Sequence, residues 1–170
     1  MANKNEENLT REEHVEKIKG LIKDSEIALL TTIAPEGLVT RPMMTQEVEF
    51  DGDLWFFTLE DTAKIDEIKA DPSVNVGYVN KNKSFVSIRG AAEIVRDHHK
   101  KEELWNKAYE AIFDVKADDP SLVLVKVMVQ SVEYWESGSM VKSAFNLVRK
   151  IAKIGDDSDL GENATVELDV

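Results

Sequence analysis

At 170 residues, 42% of them hydrophobic, the chain has room for one domain with a continuous core. It contains no cysteine, which excludes a disulfide framework and a thiolate metal site, and its 33 acidic residues against 21 basic ones give a formal net charge of −12 that opposes binding to a phosphate backbone. No apolar run reaches membrane-spanning length and the opening MANKNEENLTREEH holds no signal-peptide core, so the expectation is a soluble cytoplasmic protein that partners neither nucleic acid nor membrane.

Thr10 and Glu13 have capping-box spacing, and Val15, Ile18, Leu21 and Ile22 then share one face of a helix running to about Lys23. Glu26 to Ala34 is largely apolar or β-branched, Pro35-Glu36-Gly37 is turn chemistry, and Leu38 to Phe50 reads as a long second strand. Asp51-Gly52 is a two-residue hairpin signal before DLWFFTL, so a third strand is expected to pair directly with the second. From Asp61 to Ala70 the period changes to helical, with Lys64, Ile65 and Ile68 on successive turns before Asp71-Pro72.

Val74, Val76 and Tyr78 alternate as a fourth strand. After a Lys81-Asn82-Lys83 turn, Val86, Ile88, Ala92 and Ile94 alternate as a fifth, in which Gly90 marks a bulge or bend. Lys100 to Phe113 is expected to be one helix with Leu104, Ala108 and Ile112 on its inner face. Val123, Val125, Val127 and Val129 open a sixth strand that continues through Trp135, and a last helix is expected from about Ser139 to Ile154. Residues 1–154 then form a single domain, and 155–170, with six acids and no base, a solvated acidic tail.

Six strands in mostly adjacent hairpins, with helices at the ends and in two crossovers, suit a closed antiparallel barrel better than a doubly wound sheet. His14, His98 and His99 have no metal-ligand spacing, and GxSxG, P-loop and GxGxxG signatures are absent, so catalysis, if present, rests on a cofactor. The informative stretch runs from Leu38 to Asn80. Arg41 sits in mid-strand before a proline that removes one ladder donor; spacing alone leaves it a ligand-binding arginine or an outward-facing one. Thr58 ends a strand, Thr62 opens a helix and Lys64 lies in its first turn, an arrangement that converges on an anion or is simply a cap by Asp61 or Thr62 beside an exposed lysine.

Together these residues resemble the pyridoxamine 5′-phosphate oxidase-like family, whose pattern is an arginine on one strand, an aromatic-threonine pair ending the next, and a serine or threonine with lysine opening the following helix. Here it reads Arg41, Phe57-Thr58, then Thr62 and Lys64, and the resemblance extends through FVSIRGAAEIVRD, DDPSLVLVKV and VEYWES. It implies a six-stranded antiparallel split β-barrel, mainly β with flanking helices, in which those residues hold the phosphate and ribityl chain of FMN while the backbone at Pro42 and Met43 lies against the flavin ring. Trp135 resembles a tryptophan that reaches FMN from the second subunit, which implies a homodimer with FMN at its interface; by its place alone it is equally an aromatic at a strand end.

The match is incomplete where a phosphorylated vitamer would bind. Gln46 stands in place of a basic residue, Ala63 in place of a second arginine and Phe85 in place of a flavin-contacting glutamine, and no arginine-histidine motif follows Trp135. The general-stress branch, with its C-terminal helix and an ending like GENATVELDV, is the better likeness. It implies an FMN-dependent oxidoreductase working between a small-molecule electron donor or acceptor and an unidentified substrate, rather than a true pyridoxamine phosphate oxidase. The alternative is a non-catalytic flavin-binding stress protein, a reservoir or sensor. A haem or deazaflavin relative ranks third, since no histidine lies near the site strands to ligate iron. No residue is assigned a catalytic role, and no metal is expected.

Overall fold

The structure is a computed structural model, and it describes residues 10–23, 25–45, 52–81, 84–135 and the backbone of 163–167. The elements are α1 (Arg11–Ile22), β1 (Ile27–Ala34), β2 (Gly37–Met44), β3 (Asp53–Leu59), α2 (Ala63–Ala70), β4 (Ser73–Val79), β5 (Phe85–Val95), α3 (His98–Leu104), α4 (Ala108–Phe113), β6 (Leu122–Trp135) and β7 (Asn163–Glu167). α1 begins in the expected capping box: Thr10 Oγ1 accepts from the Glu13 amide, and the Glu13 carboxylate accepts from the Thr10 amide at 2.7 Å.

All strand pairings are antiparallel, in the order β2-β1-β4-β5-β6-β3, with β7 also pairing β6. The sheet curls into a split half-barrel around Leu30, Phe56, Val76, Ile88, Val125 and Val127, and α1 packs Ile18 and Ile22 onto the same core. Burying each such side chain contributes about 1.5–3 kcal/mol. Among the described residues no helix is long and apolar enough to cross a membrane, and no cluster of three His, Asp or Glu is placed to hold a metal.

The expected pairing of the second and third strands does not occur. β3 crosses to the far end of the sheet and pairs with β6, Asp53 opposite Met128 through Leu59 opposite Leu122. Burial explains the choice. β3 sends Leu54 and Phe56 into the barrel and Phe57 into a second cluster with Leu104, Tyr109, Leu122 and Leu124, so it needs a neighbour covered on both faces. The first half of β6 is such a strand, whereas most of β2 is exposed. β2 and β3 are thus the two ends of the hydrogen-bonded path, and Pro42 lies on an edge strand, where a missing N–H costs least.

The single helix expected over Lys100–Phe113 is two. α3 stops at Leu104 so that the Trp105 ring meets Phe57 edge-on at a centroid distance of 5.3 Å, and α4 then places Tyr109 against both. The inner positions are therefore Leu104 and Tyr109, while Ile112 is exposed. The solvated tail expected over 155–170 contains a strand: Asn163–Glu167 pairs along Ser131–Trp135, beyond the part of β6 that β3 covers. The Ser139–Ile154 helix and Gln46 lie outside the described residues.

Gly90 fulfils its reading as a bulge position, since the β5–β6 register shifts between Arg89 and Gly90 and leaves Gln130 between the partners Ser131 and Val129. A Cβ on Gly90 would lie 2.4 Å from Met128 O and 2.8 Å from Val127 Cγ1, in the most buried part of the sheet. Gly90→Ala is expected to destabilise the fold by about 3 kcal/mol, a fall in Tm of about 6–12 °C in thermal unfolding. An unchanged Tm would mean that the strands part there without penalty.

Candidate functional site

α2 bridges the two ends of the strand path, and four of the eight sequence-predicted residues, Arg41, Thr58, Thr62 and Lys64, meet on it. From β2, the inner face carries Val39, Arg41 and Met43, opposite Thr32, Leu30 and Ala28 of β1. Arg41 therefore points toward the barrel and α2 rather than outward. Its guanidinium takes Glu67 of α2 end-on, Nη1 donating to Oε2 at 2.7 Å and Nη2 to Oε1 at 3.2 Å, and Nη1 also donates to Thr32 Oγ1 at 2.8 Å. Thr32 Oγ1 in turn donates to Glu67 Oε2 at 2.5 Å.

From β3, Thr58 lies on the inner face, alternating with Phe56. Lys64, in the first turn of α2, donates from Nζ to Thr58 Oγ1 at 2.9 Å and to Thr62 Oγ1 at 3.1 Å, and the two hydroxyls are 3.3 Å apart. Thr62 occupies the N-cap of α2 without a side-chain capping bond; its hydroxyl instead donates to Leu59 O at 2.8 Å, which leaves its oxygen to accept from Lys64. The simple cap with an exposed lysine is not what forms. The Ala63 and Lys64 amides that open α2 have no preceding helical carbonyl to bond, whereas the Ile65 amide already donates to Thr62 O at 3.0 Å.

The electrostatics fit an anion. Burial pushes the Lys64 ammonium below its ordinary pKa and nearby Arg41 pushes the same way, opposed by Glu67 and Asp61. Among the described residues no carboxylate reaches salt-bridge distance of Lys64 Nζ, whose hydrogen-bond partners are two neutral hydroxyls. The Arg41 hydrogen bond holds the Glu67 carboxyl below the usual carboxylate range against the effect of its own burial. With Glu67 matched to Arg41, Lys64 supplies positive charge with no close counter-ion, and an anion placed there would relieve the repulsion between the two cations.

The remaining predicted residues do not join this cluster through their side chains. Phe57 turns to the opposite face of β3, into the aromatic cluster with Trp105 and Tyr109. Met43 is buried in the barrel core and Pro42 is exposed on the outer face of β2. Trp135 ends β6 opposite Phe85 and Asn163, half-buried and on the outer face of the sheet. Of the departures from the vitamer-oxidising pattern, Ala63 is the exposed first residue of α2, and Phe85 opens β5, also outward.

The family model for pyridoxamine 5′-phosphate oxidase-like proteins matches residues 13–157. The chain belongs to that family. Among solved structures, the general stress protein 26 of Bacillus anthracis is similar, at 25% identity and a TM-score of 0.64, over 71% of this chain and 92% of that one. So is a protein of Xanthomonas citri described as a general stress FMN/FAD binding protein, at 27% identity and a TM-score of 0.64, over 75% of this chain and 90% of that one. The Neurospora crassa protein bli-3 is 27% identical over 139 residues, which is 76% of this chain but 64% of that protein.

Within this family member, Thr32 and Glu67 are the site residues that sequence reasoning missed. Glu67 stands three positions after Lys64 and one before Ile68, on the stripe of α2 that faces the barrel, and that spacing was the available signal. Thr32 had none, because a threonine in a β-branched strand needs no functional reason.

Proposed function

We propose that this chain is an FMN-binding flavoprotein of the general-stress class. In this reading the FMN phosphate is held by Arg41, Thr58, Thr62 and Lys64, with the backbone at Pro42, Met43 and Phe57 against the cofactor. The observation that carries it is the convergence on α2 of an arginine from one end of the strand path and a threonine from the other, around a half-buried lysine whose partners are hydroxyls. Such a cluster supplies charge-assisted donors to a phosphate monoester. The bound flavin would supply reversible electron transfer. The protein's residues anchor its phosphate end and fix its place in the fold. The activity we propose is oxidoreduction of an unidentified small molecule in the cytoplasm.

A homodimer with FMN at the interface completes this reading, and an apolar row on the outer face of the sheet supports it. Met44 pairs with Ile27, Val79 with Phe85, and Phe85 with Trp135; Ile27 lies one step beyond the Ala28–Tyr78 pair, beside Val79. Five large apolar side chains thus cross five strands, and Ile27 and Val79 are 55% and 49% exposed. An apolar band of this kind marks an interaction face. Its far end is Trp135, the residue expected to reach a partner's flavin.

Titration of the apo-protein is expected to show FMN binding at least about a hundredfold tighter than riboflavin, because more than one charge-assisted phosphate contact is lost with the phosphate. Equal affinities would remove the phosphate assignment. Bleaching of the bound flavin by NADH or NADPH, followed by reoxidation with a second compound, tests turnover.

A further inference from the structure

A guanidinium offers five N–H donors in a rigid planar fork. On Arg41 the two terminal nitrogens are engaged: Nη1 donates to Thr32 Oγ1 and Glu67 Oε2, which lie close together, and one Nη2 hydrogen goes to Glu67 Oε1. The Nε hydrogen and the second Nη2 hydrogen remain, side by side along one edge, with no acceptor among the described residues. That edge matches two oxygens of a phosphate. Thr32 and Glu67 are both buried and bonded to each other, so neither can swing away without leaving a polar group unpaired.

We propose that Glu67, together with Thr32, is a positioning residue for phosphate recognition: it takes the end of the Arg41 guanidinium and so presents the free Nε/Nη2 edge to the FMN phosphate. The inference rests on the flavin reading above. It opposes what charge alone demands. Glu67 subtracts one positive charge from an anion site, and on Coulombic grounds its removal should tighten FMN binding. If its role is orientation, removal weakens binding, because an unanchored arginine must order its side chain on the phosphate at each binding event.

The test titrates apo-protein of the parent, Glu67→Ala, Glu67→Gln and Thr32→Val with FMN and with riboflavin, with circular dichroism to verify folding. Glu67→Ala is expected to weaken FMN binding about tenfold while leaving riboflavin affinity unchanged, the equivalent of one misdirected charge-assisted contact. Glu67→Gln, whose amide keeps an acceptor for the guanidinium, is expected to return to within about threefold of the parent. Glu67→Ala binding FMN as tightly as the parent or tighter overturns the proposal, and so does an equal loss for FMN and riboflavin, the mark of a merely structural role. Should Glu67→Ala fail to fold, Thr32→Val decides: a loss confined to FMN supports the proposal and parity overturns it. A parent that binds no FMN removes the flavin reading and this inference with it, whereas a parent that binds FMN beside an unaffected Glu67→Ala removes the inference alone.

Discussion

Arg41→Ala is expected to weaken FMN binding about tenfold to a hundredfold, while Arg89→Ala and Arg96→Ala bind within about twofold of the parent. All three arginines lie in or next to strands, but their surroundings differ. Arg89 donates from Nε to Ser131 Oγ at 3.1 Å, and Arg96 pairs with Glu60 where both side chains are at least 41% exposed. An exposed pair of that kind contributes little. Arg41 alone among them faces the barrel and shares α2 with Lys64.

The same substitution leaves Glu67, 8% exposed, without its cation. Breaking a buried pair from one side costs about 3–5 kcal/mol, so Arg41→Ala should also lower Tm. The two effects separate in the double variant Arg41→Ala/Glu67→Gln, which removes the stranded carboxylate. It should recover much of the stability and none of the FMN affinity. If the double variant regains affinity with stability, Arg41 supports the fold and does not read the phosphate. If Arg41→Ala binds FMN like the parent, the family's pattern fails here at its central residue.

Most of the elements and most of the residues that cluster at the candidate site were legible in the sequence, and the division has a physical cause. Local signals survived wherever local energetics decide the outcome: the Thr10–Glu13 box, the Pro35–Gly37 turn, the Gly90 bulge, and the approach of Lys64 to Thr58 and Thr62 across six residues. Partner choice between strands is decided by burial on both faces, which Asp51-Gly52 does not report, so the hairpin signal points to β2 while β3 pairs with β6. The facing of Arg41 was open for a related reason. In β2, Val39 and Met43 share its face while Leu38, Pro42 and Met44 occupy the other, so neither face reads as the core until β1 fixes the register. Glu67 stood in a charged helix where acidic residues are ordinarily solvated, and only the arrival of Arg41 from 26 positions upstream gives it a role.

Ile27→Glu is expected to convert a flavin-loaded dimer into a monomer at the same protein concentration, and to lower its FMN occupancy. Ile27 is the second of the five residues of the outer apolar row, joined to Met44 on one side and lying beside Val79 on the other, and it is more than half exposed in the single chain. A glutamate there costs the isolated fold at most about 1 kcal/mol, through weaker strand preference and cross-strand packing. In a two-fold interface every substitution occurs twice, so two carboxylates would enter the same apolar contact with no partner. Desolvating unpaired charges in such a place costs several kcal/mol, equivalent to at least about a thousandfold weaker association. FMN should follow, because in the proposed dimer Trp135, at the end of the same row, contacts the flavin of the second subunit. Ile112, 51% exposed on α4 and away from the row, supplies the control: Ile112→Glu should leave both mass and flavin content unchanged. Sedimentation velocity recorded at the flavin absorbance reads both quantities at once. A parent that sediments as a monomer with bound flavin, or an Ile27→Glu variant that remains a loaded dimer, would show that this face is not where two copies meet.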